Sequence, residues 1–310
     1  MVMDTAASSV PPQKLAGTGN ITLHLHGHQA VFSELSYCYP LKLLSPRIAE
    51  RAVAIAYVLS YGGGLVGGDR INLRTDVGSG ARLLLLTQGS TKIFKQRVGL
   101  RASSVHPASA DGERTIQVID AAISADALLL LLPDPVTCFS DAFYNQKQTF
   151  RLEIGASIVL LDWITAGRVS RGEEWDFSRY CSINEVWVGD KRVARDAQLL
   201  EKQTQQSGSK FVPLRSLKDR LGHYSCYATL LLYGPLVVPT ITTLAQRYAS
   251  VQVYQQNVPP DFVWSLASLE NGCVVRLAGK ETELVKFWLR DSLKGLESVV
   301  GIDALRNAFV

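Results

Sequence analysis

The stretch with the clearest potential for chemistry is a cluster of five glycines after a strand-like run from Ala52 to Tyr61. Three of these glycines have the G-x-G-x-x-G spacing of dinucleotide-binding turns, in which the third glycine opens a helix whose amides hold a pyrophosphate. This spacing raises the hypothesis of a nucleotide-dependent transferase. The cluster consists of Gly62, Gly63, Gly64, Gly67 and Gly68.

The residues after the cluster argue against a nucleotide site. From Arg70 to Val77 apolar and polar residues alternate, which is the pattern of a half-buried strand and not of a helix. About twenty residues on, where a ribose would need an acidic partner, the chain has Thr87 and Gln88. The cluster is therefore predicted to be a turn whose glycines allow positive φ or a close backbone approach. Saturable binding of a nucleotide would favour the transferase alternative.

A second group with chemical potential is a set of three alternating histidines near the N-terminus. His24, His26 and His28 are predicted to share one face of a strand, and imidazoles at this spacing can bind a transition metal. No fourth ligand is evident beside them, and Gly27 loosens the geometry. The favoured interpretation is an exposed polar face of an edge strand.

Composition excludes several classes of protein. The 310 residues are 47% hydrophobic and 19% charged, which is sufficient for a large core. A net charge of +4 is too small to predict a nucleic-acid partner. The five cysteines are widely spaced and indicate neither a zinc site nor disulfides. No signal peptide or membrane span is recognisable, so a cytoplasmic protein without a membrane partner is expected.

The elements that must position these groups are mainly strands. Three segments, beginning at Asp76, Ala122 and Glu153, each join an alternating strand through small residues to a continuous apolar run. The first of these runs, Leu83–Leu86, gains roughly 6–12 kcal/mol only if fully buried, and ordering it costs about 6 kcal/mol, so we expect it to be covered on both faces. The predicted fold is mainly β, with stacked antiparallel or mixed β layers or an irregular β-helix.

A few other elements complete the prediction. Hairpins are expected over Ile21–Pro40 and Cys181–Val193, and Trp163–Glu174 is expected to be rich in turns. Residues 1–16 are predicted to be a disordered lead and residues 17–310 a single domain. A helix is expected over Ile241–Ser250, and the longest helix over Glu281–Val300. Phe287 and Trp288 widen the apolar stripe of that last helix, so it is a possible partner surface.

Four motifs follow one another along the chain: SYGGGLVxGDR at Ser60–Arg70, TQxxTK at Thr87–Lys92, LPDP at Leu132–Pro135 and GRxxxGE at Gly167–Glu173. Together they resemble the UreD family of urease accessory proteins, called UreH in some bacteria. Similarity extends from about Gly17 to the C-terminus, and Gly67 stands where many members have serine. Tyr39–Lys42 and Ser45–Arg47 resemble the eukaryotic branch, in particular its fungal members.

The resemblance implies a non-enzymatic scaffold. Members of the family assemble with UreF and the GTPase UreG on the urease apoprotein, and are thought to pass nickel to the urease active site through an internal passage. Nickel would then be cargo in transit, and no organic cofactor is implied. A passage of this kind needs weak oxygen ligands, because thiolates or several histidines would hold nickel too tightly. A β-solenoid that binds another protein and has no role with nickel is the remaining alternative.

The resemblance suggests four carboxylates as candidates for the ion path, and each motif also has a purely structural interpretation. Asp69 can cap the glycine turn and pair with Arg70, and Glu173 can pair with Arg168. The small residues Gly167 and Gly172, and the polar residues Thr87, Gln88 and Lys92, can simply shape turns or join neighbouring strands. The candidates are Asp69, Glu173, Asp134 and Asp162.

Overall fold

The computed structural model describes residues 15–95, 114–203, 215–251 and 261–309. Almost all of the predicted N-terminal lead lies outside these ranges. Among the described residues, no helix is long and apolar enough to cross a bilayer. The prediction of a single domain over residues 17–310 stays a prediction.

The described residues are mainly β, as predicted. In chain order the strands are β1 (Thr18–His26), β2 (Gln29–Tyr37), β3 (Leu41–Leu44), β4 (Val53–Ser60), β5 (Arg70–Val77), β6 (Arg82–Leu86), β7 (Thr91–Ile93), β8 (Thr115–Ile123), β9 (Leu128–Leu131), β10 (Val136–Cys138), β11 (Phe143–Leu152), β12 (Ser157–Thr165), β13 (Arg179–Val188), β14 (Lys191–Glu201), β15 (Cys226–Tyr233), β16 (Phe262–Leu269) and β17 (Gly272–Gly279). The helices are α1 (Leu217–Leu221), α2 (Val238–Ala249), α3 (Thr282–Leu293), α4 (Glu297–Val300) and α5 (Ile302–Arg306).

These strands form two mixed sheets that face each other. The first sheet has the order β14-β13-β11-β8-β5-β1-β2, and the second has the order β16-β17-β15-β12-β9-β6-β4-β3, with β10 beside β12 and β7 beside β10. Parallel pairs form the centre of both sheets: β1, β5, β8, β11 and β13 in the first, and β4, β6, β9 and β12 in the second. The prediction of stacked mixed layers is confirmed.

The three predicted repeat units are confirmed as strand, turn and strand. In each unit a strand of the first sheet (β5, β8 or β11) turns into a strand of the second sheet (β6, β9 or β12). Gly80, Asp126 and Gly155 occupy the same place in the three turns, and all have positive φ (70°, 61° and 90°). Glycine and aspartate tolerate this conformation, which larger apolar residues avoid. The three turns have the same conformation at this position, and the strands that follow them, β6, β9 and β12, pair in parallel register.

Both faces of the second sheet are buried at its centre. Leu83 and Leu85 belong to the core between the two sheets, whereas Leu84 and Leu86 pack in a second core on the opposite face. All four are at most 1% exposed, which confirms the prediction for this run. The second core is completed by apolar residues of α2 and α3, including Leu244 and Leu289.

Three predicted boundaries differ from the structure. The helix expected over Glu281–Val300 ends as α3 at Leu293 and continues through a 3-10 turn, Lys294–Leu296, into α4. This break contains Gly295, and glycine is a poor helix former. Trp163 to Thr165 were expected in a turn-rich segment, but they complete β12, because their alternating apolar residues pack into the two cores. Helix α2 begins at Val238, three residues before the predicted start, with Pro239 in its first turn.

Candidate functional site

The four sequence motifs converge at one end of the two sheets. The parallel strands of the first sheet (β1, β5, β8, β11 and β13) begin there, and those of the second sheet (β4, β6, β9 and β12) finish there. The described connections β4–β5 and β12–β13 therefore lie at this end. We call it the motif end. It comprises the segments Tyr61–Asp69, Thr87–Ser90, Leu132–Pro135 and Ala166–Ser178.

The glycine cluster forms a compact turn and does not open a helix. A 3-10 turn covers Tyr61–Gly63, and the chain then enters strand β5 at Arg70, which removes the basis for a dinucleotide site. Gly62, Gly63 and Gly68 have positive φ. Gly64 is required for a different reason, because an added Cβ would lie 2.5 Å from the carbonyl oxygen of Lys92. These glycines therefore allow positive φ and a close approach of the backbone, as the favoured interpretation predicted.

Asp69 caps this glycine turn. Its Oδ2 accepts a hydrogen bond of 2.8 Å from the backbone N–H of Val66, and its own N–H donates to the carbonyl oxygen of Val66. The side chain of Thr115 donates to the same carbonyl oxygen at 3.1 Å. Asp69 is half-buried and orders the entry into β5.

Hydrogen bonds join the TQxxTK motif to the LPDP motif. Oδ2 of Asp134 accepts hydrogen bonds from the N–H of Gly89 at 2.8 Å and from the hydroxyl of Thr87 at 3.3 Å. The N–H of Asp134 donates to the same Thr87 oxygen at 2.7 Å. Gln88 and Lys92 have exposed side chains, and Lys92 contributes its carbonyl oxygen to a bond with Leu65. These contacts support the interpretation that the TQxxTK motif joins neighbouring strands.

Glu173 forms an ion pair with Arg168, as its structural interpretation predicted. Both carboxylate oxygens accept hydrogen bonds from the guanidinium group, and Oε2 also accepts one from the N–H of Ser140 at 3.2 Å. The hydrogen bonds from Arg168 lower the pKa of Glu173, so the carboxylate is ionised at neutral pH. The Arg168 guanidinium also lies over the ring of Phe139, 4.0 Å from its centroid.

Gly167 and Gly172 shape the loop that carries this ion pair. Both have positive φ, and an added Cβ on Gly167 would lie 2.7 Å from the carbonyl oxygen of Glu173. Gly172 ends the 3-10 turn Val169–Arg171. The GRxxxGE motif is thus a closed loop in which arginine and glutamate meet.

Asp162 is the candidate carboxylate that lies deepest. It points from β12 into the space between the sheets and is 6% exposed. Its oxygens accept hydrogen bonds from Ser182 at 2.5 Å, Asn184 at 2.6 Å, Tyr180 at 3.1 Å and Gln146 at 3.3 Å. Burial raises the pKa of Asp162, and the hydrogen bonds from Ser182, Asn184 and Tyr180 oppose that shift. A carboxylate surrounded by neutral donors therefore connects the two sheets.

A narrow cavity connects Asp162 to the motif end. Ser60, Leu65, Thr87 and Asp134 line it at the strand ends, and Gln146 and Asp162 line it further inside. The cavity volume is ≈ 50 Å³. One water needs about 10–15 Å³ on this measure, so several waters fit. Asp134 and Asp162 share this cavity, whereas Asp69 and Glu173 are not among the residues that line it.

The three histidines lie at the opposite end. His24 and His26 are exposed residues at the end of β1, but His28 lies in the turn before β2 and not on the strand face. The prediction of one shared strand face is wrong for His28, because the hairpin turns at Gly27, where φ is 62°. Among the described residues, no group of three or more histidine, cysteine, aspartate or glutamate side chains is arranged to hold a metal ion.

Sequence reasoning missed the polar residues that surround Asp162. Tyr180, Ser182 and Asn184 alternate along β13, and Gln146 and Gln148 alternate along β11. In the sequence, these residues are marked by a polar residue at every second position of a strand. The structure shows that they lie on the buried face of that strand. The alternation was visible, but periodicity alone does not tell which face of a strand is buried.

Comparisons with known proteins agree on one family. The family model described as "UreD urease accessory protein" matches residues 16–307. "Urease accessory protein 4" of Cryptococcus neoformans is 36% identical over 312 residues, which covers 94% of this chain and 94% of that protein.

Two further relatives come from a plant and a yeast. "Urease accessory protein D" of Arabidopsis thaliana is 33% identical over 309 residues, covering 92% of this chain and 98% of that protein. The "Uncharacterized urease accessory protein ureD-like" of Schizosaccharomyces pombe is 30% identical over 274 residues, covering 86% and 90% of the two chains. Similarity therefore extends over nearly the whole length of each protein.

Proposed function

Because this chain belongs to the UreD family of urease accessory proteins, we propose that it acts in urease maturation as a scaffold that delivers nickel to the apoenzyme. In this proposal it assembles with UreF and the GTPase UreG on the urease apoprotein in the cytoplasm. Nickel passes through the interior as cargo, and the chain itself performs no reaction.

The observation that carries the proposal is the cavity between the two sheets. Two carboxylates line it, Asp134 near the strand ends and Asp162 inside. Several waters fit in the space, so an ion can keep part of its hydration shell. Carboxylate and amide oxygens bind nickel weakly compared with thiolates and imidazoles, and weak sites allow an ion to leave as readily as it enters.

The other two candidate carboxylates have a supporting role in this proposal. Asp69 and Glu173 are both engaged at the motif end, in a turn cap and in an ion pair respectively. Asp69 holds the turn that contributes Leu65 to the cavity lining, and Glu173 holds a loop at the same end of the sheets. Their substitution is expected to affect nickel delivery through the shape of the entrance.

The exposed face of α3 is the proposed contact with a partner protein. Phe287 is 53% exposed and Leu284, one turn before it, is 39% exposed, while Trp288 is buried in the second core. The guanidinium of Arg290 lies 5.1 Å from the ring centroid of Phe287. An exposed aromatic ring beside an arginine is typical of residues that dominate protein interfaces.

The test is urease activation in cells that co-express urease and all accessory proteins. Ser60 lines the cavity at the end of β4. Ser60→Trp would fill this part of the cavity, and is expected to reduce activation and the nickel content of purified urease. Ser60→Ala is the matched control and should retain both. Co-purification of UreF, UreG and urease with each variant distinguishes a blocked passage from a lost complex. Full activation by a folded Ser60→Trp variant that retains its partners would refute the internal passage.

A further inference from the structure

The first sheet presents a broad surface to solvent on the side that points away from the second sheet. We call this side of β5, β8, β11, β13 and β14 the outer face. Parallel strands are normally covered on both faces, and the central strands of this sheet are parallel. In the described part of the chain, helices α2 and α3 cover the second sheet instead. Alternate residues of the outer face are exposed, including Arg70, Asn72, Arg74 and Asp76 on β5 and Lys147 and Arg151 on β11.

The outer face carries an excess of positive charge. Three of its arginines, Arg179, Arg192 and Arg195, share only two carboxylates, those of Glu201 and Glu185. Two acidic residues, Asp76 and Asp120, and four basic residues have no ion pair with any described residue. The four basic residues are Arg70, Arg74, Lys147 and Arg151. In both groups the basic residues outnumber the acidic ones, so the outer face complements an acidic surface.

Two aromatic rings on the outer face hold arginines beside them. The guanidinium groups of Arg114 and Arg179 lie 5.1 and 5.6 Å from the ring centroid of Phe143. Those of Arg151 and Arg192 lie 5.8 and 5.6 Å from the ring centroid of Trp187. Cation–π contacts operate at these distances. They restrict the arginine side chains before any partner arrives, which lowers the entropy lost on binding.

Apolar side chains occupy the centre of the outer face. Val118 and Ile183 flank Lys147 in register, and Ile116 lies two residues before Val118 on the same side of β8. All three apolar residues are half-buried. An apolar centre with a charged surround is the usual composition of a protein interface.

The size of the outer face also suits a protein partner. Its five strands have at least eight residues each. Strands lie roughly 4.8 Å apart and rise about 3.3 Å per residue, which gives a surface of about 600 Å². A standard protein interface buries about 800 Å² on each partner. The outer face is therefore large enough to form most of one interface.

We propose that the outer face binds an acidic surface of a second protein partner while the exposed face of α3 contacts the first. This inference rests on the assembly proposed above and adds the position and the charge of one contact. The two surfaces lie on opposite sides of the paired sheets, so one chain holds both partners at once. A nucleic acid would meet the basic residues equally well, but its phosphates gain nothing from the aliphatic centre.

The test measures binding of the purified full-length chain to purified urease apoprotein, UreF and UreG, one at a time, by isothermal titration calorimetry. The variant combines Lys147→Glu with Arg151→Glu, which reverses two exposed charges. We expect its dissociation constant for one of the three proteins to increase at least tenfold. Phe287→Asp should bind that same protein like the parent. Raising the salt concentration from about 0.05 M to about 0.5 M should weaken this contact in the parent, because salt screens exposed charges.

Three controls separate charge, position and apolar contact. Lys147→Arg with Arg151→Lys retains the charges and should bind like the parent. Lys294→Glu with Arg306→Glu makes the same change of charge at exposed positions on the helical side, and should also bind like the parent. Ile183→Arg adds a positive charge but removes an aliphatic side chain, so it should weaken binding of a protein and strengthen binding of a nucleic acid. Circular dichroism and the unfolding temperature establish that each variant is folded.

Several results would overturn the proposal. These are unchanged binding of all three proteins by the folded Lys147→Glu and Arg151→Glu variant, an equal loss in the Lys294→Glu and Arg306→Glu variant, loss of the same protein by Phe287→Asp, and no binding of any of the three by the parent. Charge-dependent binding of single-stranded RNA or anionic vesicles alone would also overturn it, and would identify a site for polyanions.

Comparison with Ser60→Trp distinguishes this inference from the proposed function. If the charge-reversed variant loses its partner but Ser60→Trp activates urease fully, the docking surface stands and the internal passage fails. If the charge-reversed variant retains all partners but Ser60→Trp blocks activation without loss of a partner, the docking surface fails and the passage stands.

Discussion

Nδ2 of Asn184 donates a hydrogen bond of 2.6 Å to Oδ2 of Asp162, and this contact joins the first sheet to the second across the core. Asn184 is on β13 and Asp162 is on β12, and both are buried. Hydrogen bonds to charged groups are worth about 1.5–3 kcal/mol. Asn184→Ala is therefore expected to lower the free energy of unfolding by a similar amount, measured by urea denaturation. Asn72→Ala, on the exposed face of β5, is the control and should change it by less than about 0.5 kcal/mol.

Two neighbouring glycines should differ sharply in what they tolerate. Gly64→Ala places a Cβ 2.5 Å from the Lys92 carbonyl oxygen and 2.6 Å from the Phe94 ring, so the backbone must move, at a cost of about 1–3 kcal/mol. Gly63 has a φ of 75° but nothing within 4 Å of an added Cβ. Asparagine adopts positive φ readily, so Gly63→Asn should cost about 1 kcal/mol or less. Equal loss of stability in the two variants, measured by urea denaturation, would contradict this account of the turn.

Glu173 should contribute to stability in a pH-dependent manner. Arg168 lowers its pKa below the ordinary value of 4.5, so the ion pair stabilises the folded state at neutral pH and is lost as the pH falls through the lowered pKa. Glu173→Gln is expected to reduce the free energy of unfolding at neutral pH, and the difference from the parent should shrink in acid. Urea denaturation at a series of pH values measures this. A difference that is constant with pH would show that the charge of Glu173 is irrelevant.

The combined variant Asp69→Asn and Glu173→Gln addresses the motif end as a whole. Both substitutions retain side-chain size but weaken the turn cap and the ion pair. We expect the double variant to fold and to co-purify with UreF while urease activation in the co-expression assay decreases. Activation equal to that of the parent would remove both residues from nickel delivery.

The exposed aromatic ring on α3 gives a prediction about binding that is independent of the cavity. Phe287→Asp should leave the melting temperature nearly unchanged, since the ring is 53% exposed, but should reduce co-purification of a partner protein at least tenfold. Lys294→Asp, which follows the same helix, is the charge control and should retain the partner. Retention of UreF, UreG and urease by Phe287→Asp would exclude this face of α3 as an interface.

The sequence by itself determined the class of elements and much of the local chemistry. The alternation from Arg70 to Val77 predicted β5, and the run Leu83–Leu86 predicted a strand covered on both faces. The pairing of Glu173 with Arg168 was also a local prediction, because the two residues are five positions apart. Side-chain periodicity and short-range contacts depend on neighbouring residues, so they can be read from a single chain.

Only the tertiary structure decided which distant residues meet. Asp162 contacts side chains of β11 and β13, whose positions depend on the register of parallel strands, and the sequence contains no local signal for that register. The same long-range pairing brings the four motifs to one end of the sheets and His24 to the other. It also separates Asp134 and Asp162, which share a cavity, from Asp69 and Glu173, which hold loops. The division of the four carboxylates into two roles is therefore a property of strand pairing, which forms only when the whole chain has folded.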